Sequence, residues 1–140
     1  MTTAVLDTNV LAAGFVSPEL APGQLLIAWQ YGLFELVTSP QIIAELARTF
    51  EQPYFRLRLS EARRQANLDL LRFSATSVIP TAEVARVATH PEDDGILAAA
   101  VSANADYLVT GDRQLHRLEI FRGVAIVSPR QFVEVLSAES

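Results

Sequence analysis

Five short apolar runs, separated by segments of helical periodicity, constrain this chain more than any other feature. Residues 2–6 (Thr-Thr-Ala-Val-Leu) read as a buried strand that stops at Asp7. Phe34 to Val37, Thr76 to Ile79, Tyr107 to Val109 and Val124 to Val127 read as four more. Between them, residues 20–31 carry Leu25, Leu26, Ala28 and Trp29 at helical spacing and are closed by Gly32, a C-terminal stop. Ser39-Pro40 is an N-cap followed by proline at the first helical position. The helix it opens places Ile43, Leu46, Ala47 and Phe50 on one face, and Pro53 ends or kinks it. Residues 60–73 form an amphipathic helix opened by Ser60, with Ala62, Ala66, Leu70 and Phe73 among its apolar positions. An alanine-rich helix is expected from Asp93 or Asp94 to about Asn104, and Ser128-Pro129 caps a last one ending near Leu136. Strands alternating with helices in this way build a parallel sheet covered on both faces. The expected class is α/β, an α/β/α sandwich on a five-stranded parallel sheet. No repeat or linker interrupts the 140 residues, so one domain spans 1–140.

Composition removes several chemistries. The chain has no cysteine, which excludes disulfides, thiolate catalysis and cysteine-ligated zinc. The N-terminus has no basic segment and meets a carboxylate at residue 7, so no signal peptide is expected. No apolar run approaches the roughly 18 residues that span a bilayer. A soluble, cytoplasmic protein is the expectation. Net charge is −5, yet all 11 basic residues are arginine and lysine is absent. Without lysine, a nucleotide-binding P-loop and Schiff-base catalysis are excluded.

Arg48, Arg56, Arg58, Arg63, Arg64 and Arg72 fall in one stretch. Two readings of them are open. They can solvate helix faces and pair with Glu51, Glu61 and Asp69, or they can offer guanidinium forks to a phosphate backbone. Arg56, Arg58, Arg63 and Arg64 are the candidates for RNA contact.

Ligands of open parallel sheets bind outside the carboxyl ends of the strands. The first strand ends in Asp7-Thr8-Asn9 and the fourth in Thr110-Gly111-Asp112, so both deliver carboxylates to one edge. Asp94 shares a helix face with Leu97, Ala98 and Val101, where a carboxylate needs compensation. Glu45 lies on the flank of its helix's apolar stripe. Each acid alone has an ordinary structural explanation: a turn or cap for Asp112, a helix N-terminus for Asp93 and Asp94, a solvated position for Glu45. Together they repel one another, and such a cluster persists when cations neutralise it. Oxygen-only ligands favour magnesium or manganese. His90 and His116 stand apart in sequence, so a histidine-based zinc site is not expected. Carboxylates holding hard cations are a common apparatus for phosphodiester hydrolysis, and they need neither lysine nor cysteine.

Val5-Leu6-Asp7-Thr8-Asn9-Val10 resembles the opening motif of PIN domains. Ser39 through Leu46 is similar to their second motif, with its helical glutamate. Pro91-Glu92-Asp93-Asp94 followed by Ile96-Leu97-Ala98-Ala99-Ala100 resembles the third, and Ala105 through Asp112 the fourth. The resemblance covers nearly the whole chain in the right order. It implies a magnesium- or manganese-dependent endoribonuclease with Asp7, Glu45, Asp94 and Asp112 as metal-binding acids. Asn9 and Thr110 would support them through hydrogen bonds. The adjacent pair leaves Asp93 as the alternative to Asp94; Asp94 is preferred for its distance to Leu97-Ala98-Ala99 and its apolar-side orientation. Many small members, like the VapC-type proteins, are toxins restrained by a cognate antitoxin and are commonly homodimers. Two rivals stand beside this reading: a PIN-fold module that binds RNA or protein without cleaving, and a receiver-like phosphotransfer domain, which lacks its lysine here.

Overall fold

The computed structural model of the chain describes residues 1–88 and 90–139. Its elements run β1 (Thr3–Leu6), α1 (Thr8–Val16), α2 (Ala21–Gln30), β2 (Glu35–Thr38), α3 (Pro40–Phe50), α4 (Pro53–Arg58), α5 (Glu61–Ser74) and β3 (Thr76–Ser77). They continue with α6 (Pro91–Ser102), β4 (Tyr107–Val109), α7 (Arg113–His116), β5 (Ile120–Phe121), β6 (Val124–Val127) and α8 (Pro129–Glu139). The strands join in one sheet of order β3-β2-β1-β4-β6-β5. Every pairing is parallel except that of β5 with β6. The five expected strands are therefore present, and β5 adds a two-residue antiparallel edge.

Successive strand residues point to opposite faces of a sheet. Ala4, Val5 and Leu6 are all buried, so both faces of β1 are covered. Helix α6 packs against β1 and β4, while α8, α2, α1, α3 and α5 form a second run of neighbours. Phe132 of α8 meets Phe34 edge-on at 5.1 Å and closes the core where β2 begins. Among the described residues, no single helix is long and apolar enough to cross a membrane.

The caps behave as the sequence requires. Ser39 Oγ accepts the Ile42 amide at 3.2 Å, and Ser128 Oγ accepts that of Gln131 at 3.1 Å. Gly32 takes a left-handed φ of 77° just beyond α2, a conformation cheap only for glycine.

Several elements differ from expectation. Helix α6 starts at Pro91, so Glu92, Asp93 and Asp94 all occupy its first turn. Helix α5 buries Leu68 and Leu71 rather than the expected stripe; Ala62 and Ala66 are exposed, and Phe73 is 83% exposed. Beyond Pro53 the chain turns into the short α4, and α1 occupies a stretch for which no helix was expected.

The fold has one topological switch. From β1 the chain builds outward through β2 and β3, then returns to place β4 on the other side of β1. Parallel register pairs Leu6 with Val109, so the residues after these two strands emerge side by side. In open parallel sheets a crevice forms at this place.

Candidate functional site

Asp7 follows β1 directly and is the N-cap residue of α1. Its amide donates to the Val109 carbonyl at 2.9 Å, fixing it beside the end of β4. Its Oδ2 accepts the Thr110 hydroxyl at 2.7 Å. Thr110 Oγ1 in turn accepts the Asp112 amide at 3.0 Å. A single fully buried threonine thus ties together the two strand ends that carry acids. Burial pushes the Asp7 carboxyl above its ordinary range; the Thr110 hydroxyl and the Thr8 amide oppose this, and the charge of Asp112 adds to it.

Glu45 reaches the same region from α3. It is only 7% exposed, which rules out a solvated helix position. Its two oxygens accept from the Thr8 hydroxyl at 3.1 Å and the Gln41 amide at 3.2 Å. Burial raises its proton affinity, the two hydrogen bonds and Arg48 lower it, and Glu92 raises it.

The adjacent pair divides. Neighbouring residues on a helix point about 100° apart. Asp93 lines two adjoining cavities, of about 240 and 530 Å³, which both contain Asp7, Asn9 and Glu92. Glu45 lines the first of these and Asp112 the second. The Asp93 carboxyl is pushed up to about 6, first by burial, then by Asp7 and Asp112, with His90 opposing and Glu45 adding.

Asp94 points elsewhere. It accepts the backbone amides of Arg86, Val87 and Ala88 at 3.0, 3.2 and 2.7 Å, and lines a separate cavity with Gln41, Pro91 and Ala98. The expectation that Asp94 joins the acidic cluster is therefore corrected. Its burial on the apolar side of α6 is compensated by three amides of the preceding loop, and the acid facing Asp7 is Asp93.

Asp112 both faces Asp7 and caps α7, accepting the Gln114 amide at 2.8 Å. Asn9 lines both acid cavities but, among the described residues, makes no hydrogen bond to the acids. Arg56, Arg58, Arg63 and Arg64 do not reach these cavities. Arg58 lies 3.6 Å over the Tyr54 ring and Arg64 donates to the Leu59 carbonyl at 2.7 Å. Of the expected pairs, Arg72 with Asp69 forms, at 3.3 Å, whereas Glu51 and Glu61 pair with no arginine among the described residues. The arginine that does line the acid cavity is Arg48, beside Thr49 and Gln52. Sequence reasoning passed over Thr8, Gln41, Arg48 and Gln52 as site residues. The signal was present: positions 41, 45, 48 and 52 recur at helical spacing around Glu45.

By chemistry, Asp7, Glu45, Asp93 and Asp112 are the residues able to hold a hard cation. Among the described residues no three acidic or histidine groups are gathered tightly enough to chelate one as they stand. Burial first, and neighbouring carboxylates second, raise the proton affinity of Asp7, Glu45 and Asp93, so the ionised cluster strains the fold.

That strain has a pH signature. Asp7, Glu45 and Asp93 hold their protons more tightly in the folded chain than unfolded. Their contribution to stability is present at low pH and is lost as pH rises through the folded values, about 6 for Asp93. In chelator, Asp93→Asn should therefore gain melting temperature over the unchanged chain by a few degrees at pH 7 and much less at pH 4.5. Melting curves across that range test it; a gap that stays constant or reverses would show that the acids do not strain the fold.

The molecule is thus an α/β domain with a carboxylate-lined crevice at its topological switch. The PIN domain family matches residues 3–114, and the chain belongs to that family. No curated protein sequence matches the chain. Its fold is similar to that in the crystal structure of VapBC2 from Rickettsia felis bound to a DNA fragment from their promoter. The TM-score is 0.61 at 14% sequence identity, covering 91% of this chain and 98% of that one. At this identity the likeness is one of fold.

Proposed function

We propose that the chain is a magnesium- or manganese-dependent endoribonuclease, the toxin of a toxin–antitoxin pair. The observation that carries the catalytic reading is the convergence of Asp7, Asp93 and Asp112, with Glu45 adjoining, on one crevice, where the charges of Asp7, Asp112 and Glu45 all raise the proton affinity of Asp93. An oxygen-only, mutually repelling donor set fits a hard divalent cation. Asp7, Glu45, Asp93 and Asp112 would hold it. When bound, it supplies a Lewis acid for the phosphodiester and makes water nucleophilic near neutrality.

The remaining roles belong to the chain itself. Thr110 holds the Asp7 carboxylate in one orientation, and Thr8 with Gln41 does the same for Glu45. Ligands fixed by such partners keep their geometry and basicity. Arg48 stands at the rim of the smaller cavity, where a guanidinium balances the acids and meets an incoming phosphate.

The toxin role is supported by membership in the PIN family and by the fold shared with VapBC2. In this reading a cognate antitoxin protein restrains the chain, which works in the cytoplasm as a homodimer. Exposed Tyr31 and Leu33 beyond α2, and Leu57 and Phe73 on α4 and α5, offer apolar surface for these contacts. The direct test is cleavage of single-stranded RNA by the purified chain in manganese or magnesium. Cutting that chelator abolishes supports the nuclease; an inert chain that binds no metal supports a non-catalytic binding module.

A further inference from the structure

A further cavity, of about 430 Å³, opens beside the acidic crevice and is lined by Gly111, Arg113, His116, Arg117 and Ser128. Its lining has the opposite character: two guanidiniums, an imidazole and a hydroxyl, and no carboxylate. Gly111 lines both this cavity and the one containing Asp7, Asp93 and Asp112. A Cβ placed at Gly111 would meet nothing within 4 Å, so the space beside this shared lining residue is open. Among the described residues neither Arg113 nor Arg117 is paired with a carboxylate, although the chain is acidic overall.

Hydrogen bonds also link the two cavities. The His116 Nε2–H donates to the carbonyl of Thr110, the residue whose hydroxyl holds Asp7. Asp112 caps the same short helix through Gln114. The backbone that carries Arg113 and Arg117 is therefore tied to the strand end that carries the acids.

We propose that this cavity is a phosphate subsite for single-stranded RNA, holding a backbone phosphate next to the bond presented to the acidic crevice. The inference rests on the nuclease reading and adds to it where the strand runs: over Gly111 towards α7, away from the arginines of α4 and α5. Guanidinium forks suit phosphate oxygens, and their separation from the carboxylates lets one strand meet a cation at one point and arginine at the next.

The test is binding of a fluorescent single-stranded oligoribonucleotide in chelator, across a salt series, to the unchanged chain and three double variants. Arg113→Gln with Arg117→Gln should weaken binding about tenfold or more at low salt. It should also flatten the salt dependence by roughly 0.7 to 1.4 in logarithmic slope, as expected for one or two lost phosphate contacts. Arg113→Lys with Arg117→Lys should keep the slope, and Arg56→Gln with Arg63→Gln should leave both affinity and slope nearly unchanged. All four arginines are exposed, so folding is not at stake. An α7 glutamine variant that binds like the unchanged chain overturns the subsite, as does an unchanged chain that binds no RNA. Intact, α7-dependent binding without cleavage in manganese would instead overturn the nuclease reading and leave the subsite standing.

Discussion

Asp93→Asn should lower metal-dependent RNA cleavage by at least about 10²–10³-fold while leaving the chain folded and, in chelator at pH 7, slightly more stable. The carboxylate of Asp93 is the one on α6 that faces Asp7 and Asp112, and their charges help raise its proton affinity. Asparagine keeps the shape and removes the charge. Cleavage rates and melting curves on the same preparation separate the two effects. A variant that retains full activity would remove Asp93 from the site.

Asp94→Ala should do the reverse. Its two carboxylate oxygens accept three consecutive backbone amides, at Arg86, Val87 and Ala88, and the residue is 8% exposed. Arg86 takes a left-handed φ of 60°, an unfavourable conformation for a side chain of its kind, which helps aim these amides at one acceptor. Alanine leaves three donors without their partner, at a cost of about 3 kcal/mol. For a domain of this size the melting temperature should fall by roughly 10 °C. Below that temperature, cleavage should be reduced far less than by Asp93→Asn. Unchanged stability with lost cleavage would return Asp94 to the metal site.

The contrast between these two neighbours shows where sequence reading reaches its limit. The placing of Asp7 and Asp112 at one edge was legible because Asp7 directly follows one apolar strand and Asp112 comes three residues after another that pairs with it in parallel register. The burial of Asp94 was legible too, since it does share a face with Leu97 and Ala98. What compensates that burial was not. The partners are amides of residues 86–88, in a loop whose path follows no periodicity. Assigning the start of α6 to Asp93 or Asp94 rather than Pro91 also left the direction of its first turn open.

Other differences have the same kind of cause. Helix α1 is apolar on most sides, with Val10, Leu11, Ala12 and Gly14 all buried, so no polar face marks its period. In α5 the position of Phe73 fits an apolar stripe, but contact with α3 is made through another face and leaves the ring in solvent. Strand β5 has two residues between left-handed Glu119 and Arg122, too short to register as an alternation. The α/β class with its parallel strands, and the edge that Asp7 and Asp112 share, rested on stronger signals: five apolar runs, two of them leading into acids.

The most direct test of the account is cleavage of a mixed single-stranded RNA by the purified chain, in manganese or magnesium and again in chelator, beside Asp7→Asn. Cutting should require the metal and be lost in Asp7→Asn while the variant's melting temperature is maintained. Full activity in Asp7→Asn, or equal cutting in chelator, would contradict it.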